Sequence, residues 1–385
     1  MYLERLSTAS ITQSIDHFPV TALIGPRQCG KSTLVKHLLQ NLSRPSIMLD
    51  LERPSDLQKL DNAEWFFTTQ KDKIICIDEV QRKPDLFPLI RSLTDDWNRP
   101  GCFVLLGSAS RDLLRQSSES LAGRIIYKNL SPFLWDEVSA FFELEDFMLR
   151  GGFPRSLLAQ NDALSFEWRL SFISTFLERD LLQWLNFTPV TMQRLWRMLA
   201  HLNGQTVNYS MLGKALGASN QTIRNYIDLL KGTFMLEVIE PFTGNPGKRL
   251  VKAPKIYISD SGIAAALLNL STFEELSGSP AIGAIWEQMV LQQIKGTFPD
   301  AACFFYRTAG GAEIDFLIKL KSKLFAVECK AGYSPALSKG NHQSIADTRP
   351  DHCFVVFPGD AGWPMQKGID VVSLSELSSA IKKHL

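Results

Sequence analysis

The sequence predicts an α/β protein of several domains, led by a parallel sheet that carries a phosphate-binding loop. Three observations predict it. Residues 1–130 alternate helical stretches with short, nearly all-apolar runs at Val20–Ile24, Ser46–Leu51, Ile74–Ile77 and Cys102–Leu106. Such runs suit strands buried on both faces of a parallel sheet. The first run leads into Gly25-Pro26-Arg27-Gln28-Cys29-Gly30-Lys31-Ser32, which matches G-x-x-x-x-G-K-S/T. Near the end of the chain, the alternating segments Ala312–Ile318 and Leu324–Lys330 flank Lys321-Ser322-Lys323 and read as a hairpin.

The 385 residues suggest two or three domains at roughly 150 residues each. Pattern separates four regions: 1–130; 131–185, helical and rich in Leu, Phe and Trp; 186–258, short helices and then a hairpin; and 259–385, mixed helix and strand. Boundary candidates are Gly151-Gly152-Phe153-Pro154 and the turn-rich Thr243–Gly247, the latter read as a loop inside a domain. With 41 basic and 40 acidic residues the net charge is +1. That excludes a polycationic coat for nucleic acid, so any such contact must be a local patch. Uncharged stretches such as Ser261–Phe273 fall short of the roughly 18 residues that span a bilayer. The first residues carry charge early and show no secretory signal. Six scattered cysteines without a CxxC pair form neither a disulfide framework nor a zinc site. The expectation is a reducing cytoplasm and no membrane partner.

The phosphate loop follows an apolar run and precedes a helix, Lys31–Leu42. Its glycines let backbone N–H groups and the helix N-terminus point at an anion. Lys31 is placed to reach the β- and γ-phosphates of a nucleotide, and Ser32 to ligate Mg²⁺. Thr33 can touch the α-phosphate. Residue 29 contributes mainly backbone, so Cys29 is tolerated there. Ile74–Ile77 ends in Asp78-Glu79, and acids at the carboxyl end of a parallel strand face the ligand crevice. Asp78 would hold Mg²⁺ and Glu79 would polarise the attacking water. Cys102–Leu106 ends in Gly107-Ser108, where Ser108 can sense the γ-phosphate. Arg124, beyond the last of these runs, is a candidate finger for its own or a neighbour's site, or else a surface salt bridge.

The strings LIGPRQCGKSTL, IICIDEVQ, LLGSAS, SLAGRI, GGFPRSL and FLERDLL resemble bacterial and archaeal AAA-type ATPases that carry a C-terminal DUF4143 domain. The resemblance covers nearly the whole chain, and GGFPRSL with FLERDL is its most specific part. It implies an ATP-binding AAA-like domain, a helical region, a winged helix and a C-terminal part of the PD-(D/E)xK, restriction-endonuclease-like, fold.

In the 186–258 region, Leu195–Leu202, Ser210–Gly217 and Asn220–Leu230 follow helix-turn-helix order. Gln221, Arg224 and Asn225 on the last helix can read base edges. Lys248, Arg249, Lys252 and Lys255 beside the turn at Asn245-Pro246-Gly247 would form a basic wing. The alternative is an internal packing or protein-contact module.

In the C-terminal hairpin, a turn centred on Lys321-Ser322 sets Asp315 opposite Glu328 and Glu313 opposite Lys330. Opposed carboxylates about 5 Å apart repel by roughly 3 kcal/mol at an effective dielectric of about 20. They need a cation or a raised pKa, and a Mg²⁺ ion on Asp315 and Glu328 would supply the former. Lys330 can orient a water or stabilise charge on a phosphate. Asp315…Glu328-x-Lys330 resembles the PD-(D/E)xK motif, with Ile314 in place of its proline. Glu287, in the helix Ile285–Ile294, resembles the acid such nucleases take from their first helix. A solvated charged face or a decayed nuclease fold is the competing reading. The expectation is a Mg²⁺-dependent, ATP-hydrolysing ATPase that handles DNA or RNA. The alternative is an ATP-switched interaction module with an inactive nuclease-like domain. A trans-acting finger would require a homo-oligomer.

Overall fold

Residues 2–108, 121–180, 188–243 and 250–385 are described by a computed structural model. Lys248, Arg249 and the turn Asn245-Pro246-Gly247 lie outside the described residues, as do 109–120 and 181–187. The chain divides into two units: residues 1–132 with 232–234, and residues 133–231 with 235–385.

The apolar runs of the first unit become strands β1 (Val20–Gly25), β2 (Ser46–Asp50), β3 (Ile74–Asp78) and β4 (Phe103–Ser108). A further strand, β5 (Ile125–Asn129), was not legible in the sequence. The sheet order is β2-β3-β4-β1-β5, and every neighbouring pair is parallel. Successive side chains go to opposite faces. Ala22, Ile24, Ile75, Ile77, Phe103 and Leu105 pack into one core. Leu23, Cys76, Val104 and Leu106 pack into another, together with Ile11, Leu34 and Leu38 of the flanking helices Thr8–His17 and Lys31–Asn41. Two cores, one per face, are why the runs carry no polar alternation. β5 is only partly buried at the sheet edge, so it lacks that signature. Because β4 lies between β1 and β3, the carboxyl ends of all three open at one edge, where the phosphate loop begins.

The second unit begins with helices. Its most specific sequence string has a steric cause. Gly151 has φ 74°, and a Cβ on Gly152 would stand 2.2 Å from the Phe133 carbonyl oxygen. Phe133 N–H donates to Gly152 O at 2.7 Å, and Gly152 N–H donates to Asp260 at 2.8 Å. Asp260 also caps the Ser261–Leu267 helix through Ile263 N–H at 2.9 Å. The fully buried Arg169 donates to Leu149 O at 2.7 Å and Gly262 O at 3.0 Å. Gly152→Ala should therefore lower stability by about 1–3 kcal/mol through overpacking, read as a lower urea midpoint with unchanged m-value.

Helices Pro189–His201, Tyr209–Leu216 and Asn220–Gly232 follow. Gly217, at φ 65°, ends the second. An eight-stranded sheet then forms from β6 (Leu236–Pro241), β7 (Lys255–Ile258), β8 (Ala302–Arg307), β9 (Glu313–Leu320), β10 (Lys323–Cys329), β11 (His352–Phe357), β12 (Trp363–Gln366) and β13 (Ile369–Ser373). Its order is β12-β13-β11-β10-β9-β8-β6-β7. β6 pairs antiparallel with β7 and also parallel with β8, through Glu240 opposite Phe304 and Pro241 opposite Phe305. The strand pair expected as a wing is therefore the edge of this large sheet. The β9–β10 register has the expected turn, with Leu320 opposite Lys323 and Phe316 opposite Val327. Among the described residues no helix is long and apolar enough to cross a membrane.

Candidate functional site

Among the described residues, side chains singled out by the sequence gather in two clusters, one in each unit, and a separate group, His352, Asp370 and His384, stands in the second unit. In the first, Gly25 closes β1 against the Leu130 carbonyl, where a Cβ would stand 2.1 Å from the oxygen. Gln28 (φ 62°) and Gly30 (φ 101°) turn the loop through the left-handed region. Cys29 is buried beneath it, with Sγ 3.3 Å from Leu130 O. The buried Arg5 donates to Cys29 O at 3.1 Å and Ser131 O at 2.7 Å. The loop is thus pinned from below by neighbours that the motif itself does not contain. Arg27 reaches Glu52 at 3.1 Å, Pro26 is buried, and Thr33 is exposed on the helix.

Lys31 Nζ donates to Gly25 O at 2.9 Å and Pro26 O at 2.8 Å. Ser32 Oγ donates to Asp78 Oδ2 at 2.6 Å. Burial pushes the Asp78 carboxyl up; the Ser32 hydrogen bond opposes that, and Glu79 adds to it. Glu79 itself takes φ 55°, a left-handed conformation that costs a non-glycine residue about 1–2 kcal/mol. Its Oε2 accepts from Ser108 Oγ at 3.1 Å and from Gln81 Nε2. One hydroxyl and one carboxylate, with water and phosphate to complete the shell, suit a hard divalent cation such as Mg²⁺.

Arg124 lies elsewhere. Its carbonyl accepts from Val20 N–H at the amino end of β1, while the phosphate loop leaves the carboxyl end, about 17 Å away at roughly 3.3 Å per residue. Its guanidinium grips Asp95, with Nη2 2.9 Å from Oδ2. Insertion of Arg124 into its own chain's site is therefore corrected: strand length separates them.

The second cluster joins β7, β9, β10 and the Ile282–Thr297 helix. Asp315 Oδ2 accepts from Cys329 N–H at 2.8 Å. Glu328 Oε1 accepts from Lys330 Nζ at 2.7 Å; its Oε2 is buried and makes no hydrogen bond in good geometry among the described residues, and the Asn341 side chain also favours the charged carboxylate. Glu287 Oε2 accepts from Tyr257 OH at 2.8 Å. Lys255, 2% exposed, donates to Glu313 at 2.7 Å and stands 3.7 Å from Asp315 and 3.9 Å from Glu287. Burial, then Asp315, pushes Glu287 up to about 8 and Glu328 up to about 7. Burial also raises Asp315, against Lys255 and the Cys329 amide. Burial works against the charge on Lys255, but Glu287, Asp315 and Glu313 outweigh it.

A family model described as an AAA domain matches residues 17–139. Models for two domains of unknown function, DUF8612 and DUF4143, match 142–274 and 282–377. Two mycobacterial proteins, Mb2031c of Mycobacterium bovis and Rv2008c of Mycobacterium tuberculosis, both named uncharacterized, are each 35% identical over 379 residues. That is 98% of this chain and 85% of each relative. The chain belongs to their family, the AAA–DUF4143 proteins. Among solved structures, a Walker-type ATPase of Pyrococcus abyssi aligns with TM-score 0.48 at 16% identity, covering 69% of this chain and 96% of its own. The RuvB branch-migration motor of Thermotoga maritima aligns with TM-score 0.31 at 17% identity, covering 61% and 89%.

In this AAA–DUF4143 chain, Lys31, Ser32, Asp78, Glu79 and Ser108 converge at one sheet edge. Asp315, Glu328, Lys330 and Glu287 converge at another place in the chain. Gln221, Arg224 and Asn225 share an exposed helix face, with Gln221 bonded to Asn225 at 3.0 Å and Arg224 stacked over Tyr209 at 4.0 Å. Lys252 is exposed. One pairing and one role are corrected. Glu313 meets Lys255 and Arg307 rather than Lys330, because Lys330 turns to Glu328. Lys255 is no wing cation, because β7 carries it into the carboxylate cluster. Sequence reasoning missed Gln81, Arg5 and Tyr257. The alternation Lys255-Ile256-Tyr257-Ile258 was the available signal for the last, since it sets Lys255 and Tyr257 on one face.

Proposed function

We propose that this AAA-type ATPase hydrolyses ATP with Mg²⁺ and couples turnover to the handling of nucleic acid through its C-terminal carboxylate site. The phosphate-loop geometry supports the first half. Lys31 Nζ is held by two carbonyls and exchanges them for phosphate oxygens when nucleotide binds. Ser32 and Asp78 are the residues that would hold Mg²⁺, which when bound neutralises phosphate charge. Glu79, fixed by Ser108 and Gln81, orients and polarises the attacking water. Arg124 is read as a finger acting in a neighbouring copy, released from Asp95. Mixing Arg124→Ala with Lys31→Ala protein should then restore part of the turnover that each lacks. A strictly monomeric protein with full activity contradicts this.

One observation carries the second half: the buried Glu328 Oε2 near Asp315, which makes no hydrogen bond in good geometry among the described residues, with Lys330 on the same carboxylate. Asp315 and Glu328 would hold a divalent ion, which supplies Lewis acidity for water attack on a phosphodiester. Glu287 supports Asp315, and Lys330 faces the scissile phosphate. The exposed Gln221–Arg224–Asn225 face and Lys252 supply contacts to a duplex. The resident Lys255 favours a second reading, an ATP-switched interaction module without cleavage. Incubation with plasmid, linear DNA and RNA, with and without ATP and Mg²⁺ or Mn²⁺, separates them. Cutting that Asp315→Asn abolishes supports the first reading. Metal binding with no cutting under any nucleotide condition supports the second.

A further inference from the structure

The second cluster contains more acids than cations. Glu287, Glu313, Asp315 and Glu328 come from three elements, and two ammonium groups enter among them. Lys330 arrives from a partly exposed position and pairs with Glu328 at 2.7 Å. Lys255 differs. It projects from the edge strand β7, is 2% exposed, and sits 2.7, 3.7 and 3.9 Å from oxygens of Glu313, Asp315 and Glu287. A group that meets oxygens from a helix and from β9, a strand separated from β7 by β8 and β6, stands where ligands for a cation would converge. A second positive charge in the same space meets direct repulsion. On the other side of Asp315 the situation is reversed. Among the described residues, Glu328 Oε2 is buried and makes no hydrogen bond in good geometry, although the Asn341 side chain stands near the carboxylate.

We propose that Lys255 is the built-in cation of this site. It fills the gap between Glu287, Glu313 and Asp315, so the site takes one divalent ion, on Asp315 and Glu328, where an all-acid pocket would take two. This rests on the metal-site reading proposed above. Lys255 then has a positional task. It keeps Glu287 and Glu313 from collapsing onto the ion and leaves Asp315 shared between a fixed and an exchangeable cation. It differs from Lys330, whose partly exposed ammonium can exchange Glu328 for a substrate phosphate.

The test counts bound Mn²⁺ per chain. The free ion is followed by electron paramagnetic resonance on the full-length, nucleotide-free protein in an Asp78→Asn background, which removes the phosphate-loop site. The parent should bind one ion, Lys255→Met two, and Asp315→Asn none. A parent that binds two, or a Lys255→Met protein that still binds one, overturns the proposal. Binding by neither parent nor Lys255→Met overturns the metal-site reading itself, and the proposal with it. If Lys255→Met does not fold, Lys255→Gln, which leaves all the carboxylates in place and keeps a polar group in the gap, is counted instead. Two ions then support the proposal and one overturns it.

Discussion

Replacing Glu79 by Gln should leave ATP bound and lower turnover by about 10²–10⁴-fold, the usual contribution of a positioned general base. The substitution keeps the shape and the hydrogen bonding to Ser108 Oγ and removes the charge that polarises water. Lys31→Ala should act on binding instead, because the ammonium is the group that moves from the Gly25 and Pro26 carbonyls to phosphate. Calorimetry reads the first property and phosphate release the second. If neither wild type nor Glu79→Gln binds ATP, the phosphate-loop account fails.

Lys255→Met should cost the metal-free protein about 3–5 kcal/mol, the range seen when one partner of a buried ion pair is removed. Three carboxylates would then face one another without their shared cation. Urea unfolding by tryptophan fluorescence reads the loss, since Trp135, Trp168, Trp196, Trp286 and Trp363 lie in this unit. The same cluster sets a pH dependence. Glu287 and Glu328 are held up to about 8 and about 7 in the folded protein, against an ordinary value of 4.5. Between the ordinary and the raised values the folded state keeps protons that the unfolded chain releases. Stability therefore falls as pH rises through that window. The metal-free protein should be more stable at pH 6 than at pH 8, and Glu287→Gln should flatten the difference. A rise in stability with pH would contradict the geometry.

What was legible in the sequence was local. Gly25–Ser32 announces itself through spacing, and Asp78-Glu79 through its place at the end of an apolar run. The β9–β10 register follows from a turn at Lys321 and strict alternation, and it holds as far as Phe316 opposite Val327, next to Asp315 and Glu328. What was not legible depends on strands and loops far apart in the chain. Lys255 looks like one of several basic residues near a turn, and only the pairing of β6 with both β7 and β8 carries it inward. β5 has too little burial to stand out. Gln81 reaches Ser108 across 27 positions of sequence, and Arg5 reaches Cys29 across 24. No short motif encodes either contact. The GGFPRSL string was recognisable, but its reason, the close approach of Gly152 to Phe133 and Asp260, needs partners that lie outside it.

The Asp315–Glu328 pair is either a cation site or a strained buried pair. Thermal unfolding of the nucleotide-free Asp78→Asn protein, with and without Mn²⁺, measures this directly. At a hundredfold excess over Kd, binding to the folded state alone adds about 2.7 kcal/mol, roughly 5–10 °C for a unit of this size. The account predicts that rise, and predicts that Asp315→Asn cancels it. No rise, or an equal rise in the Asp315→Asn protein, would contradict it.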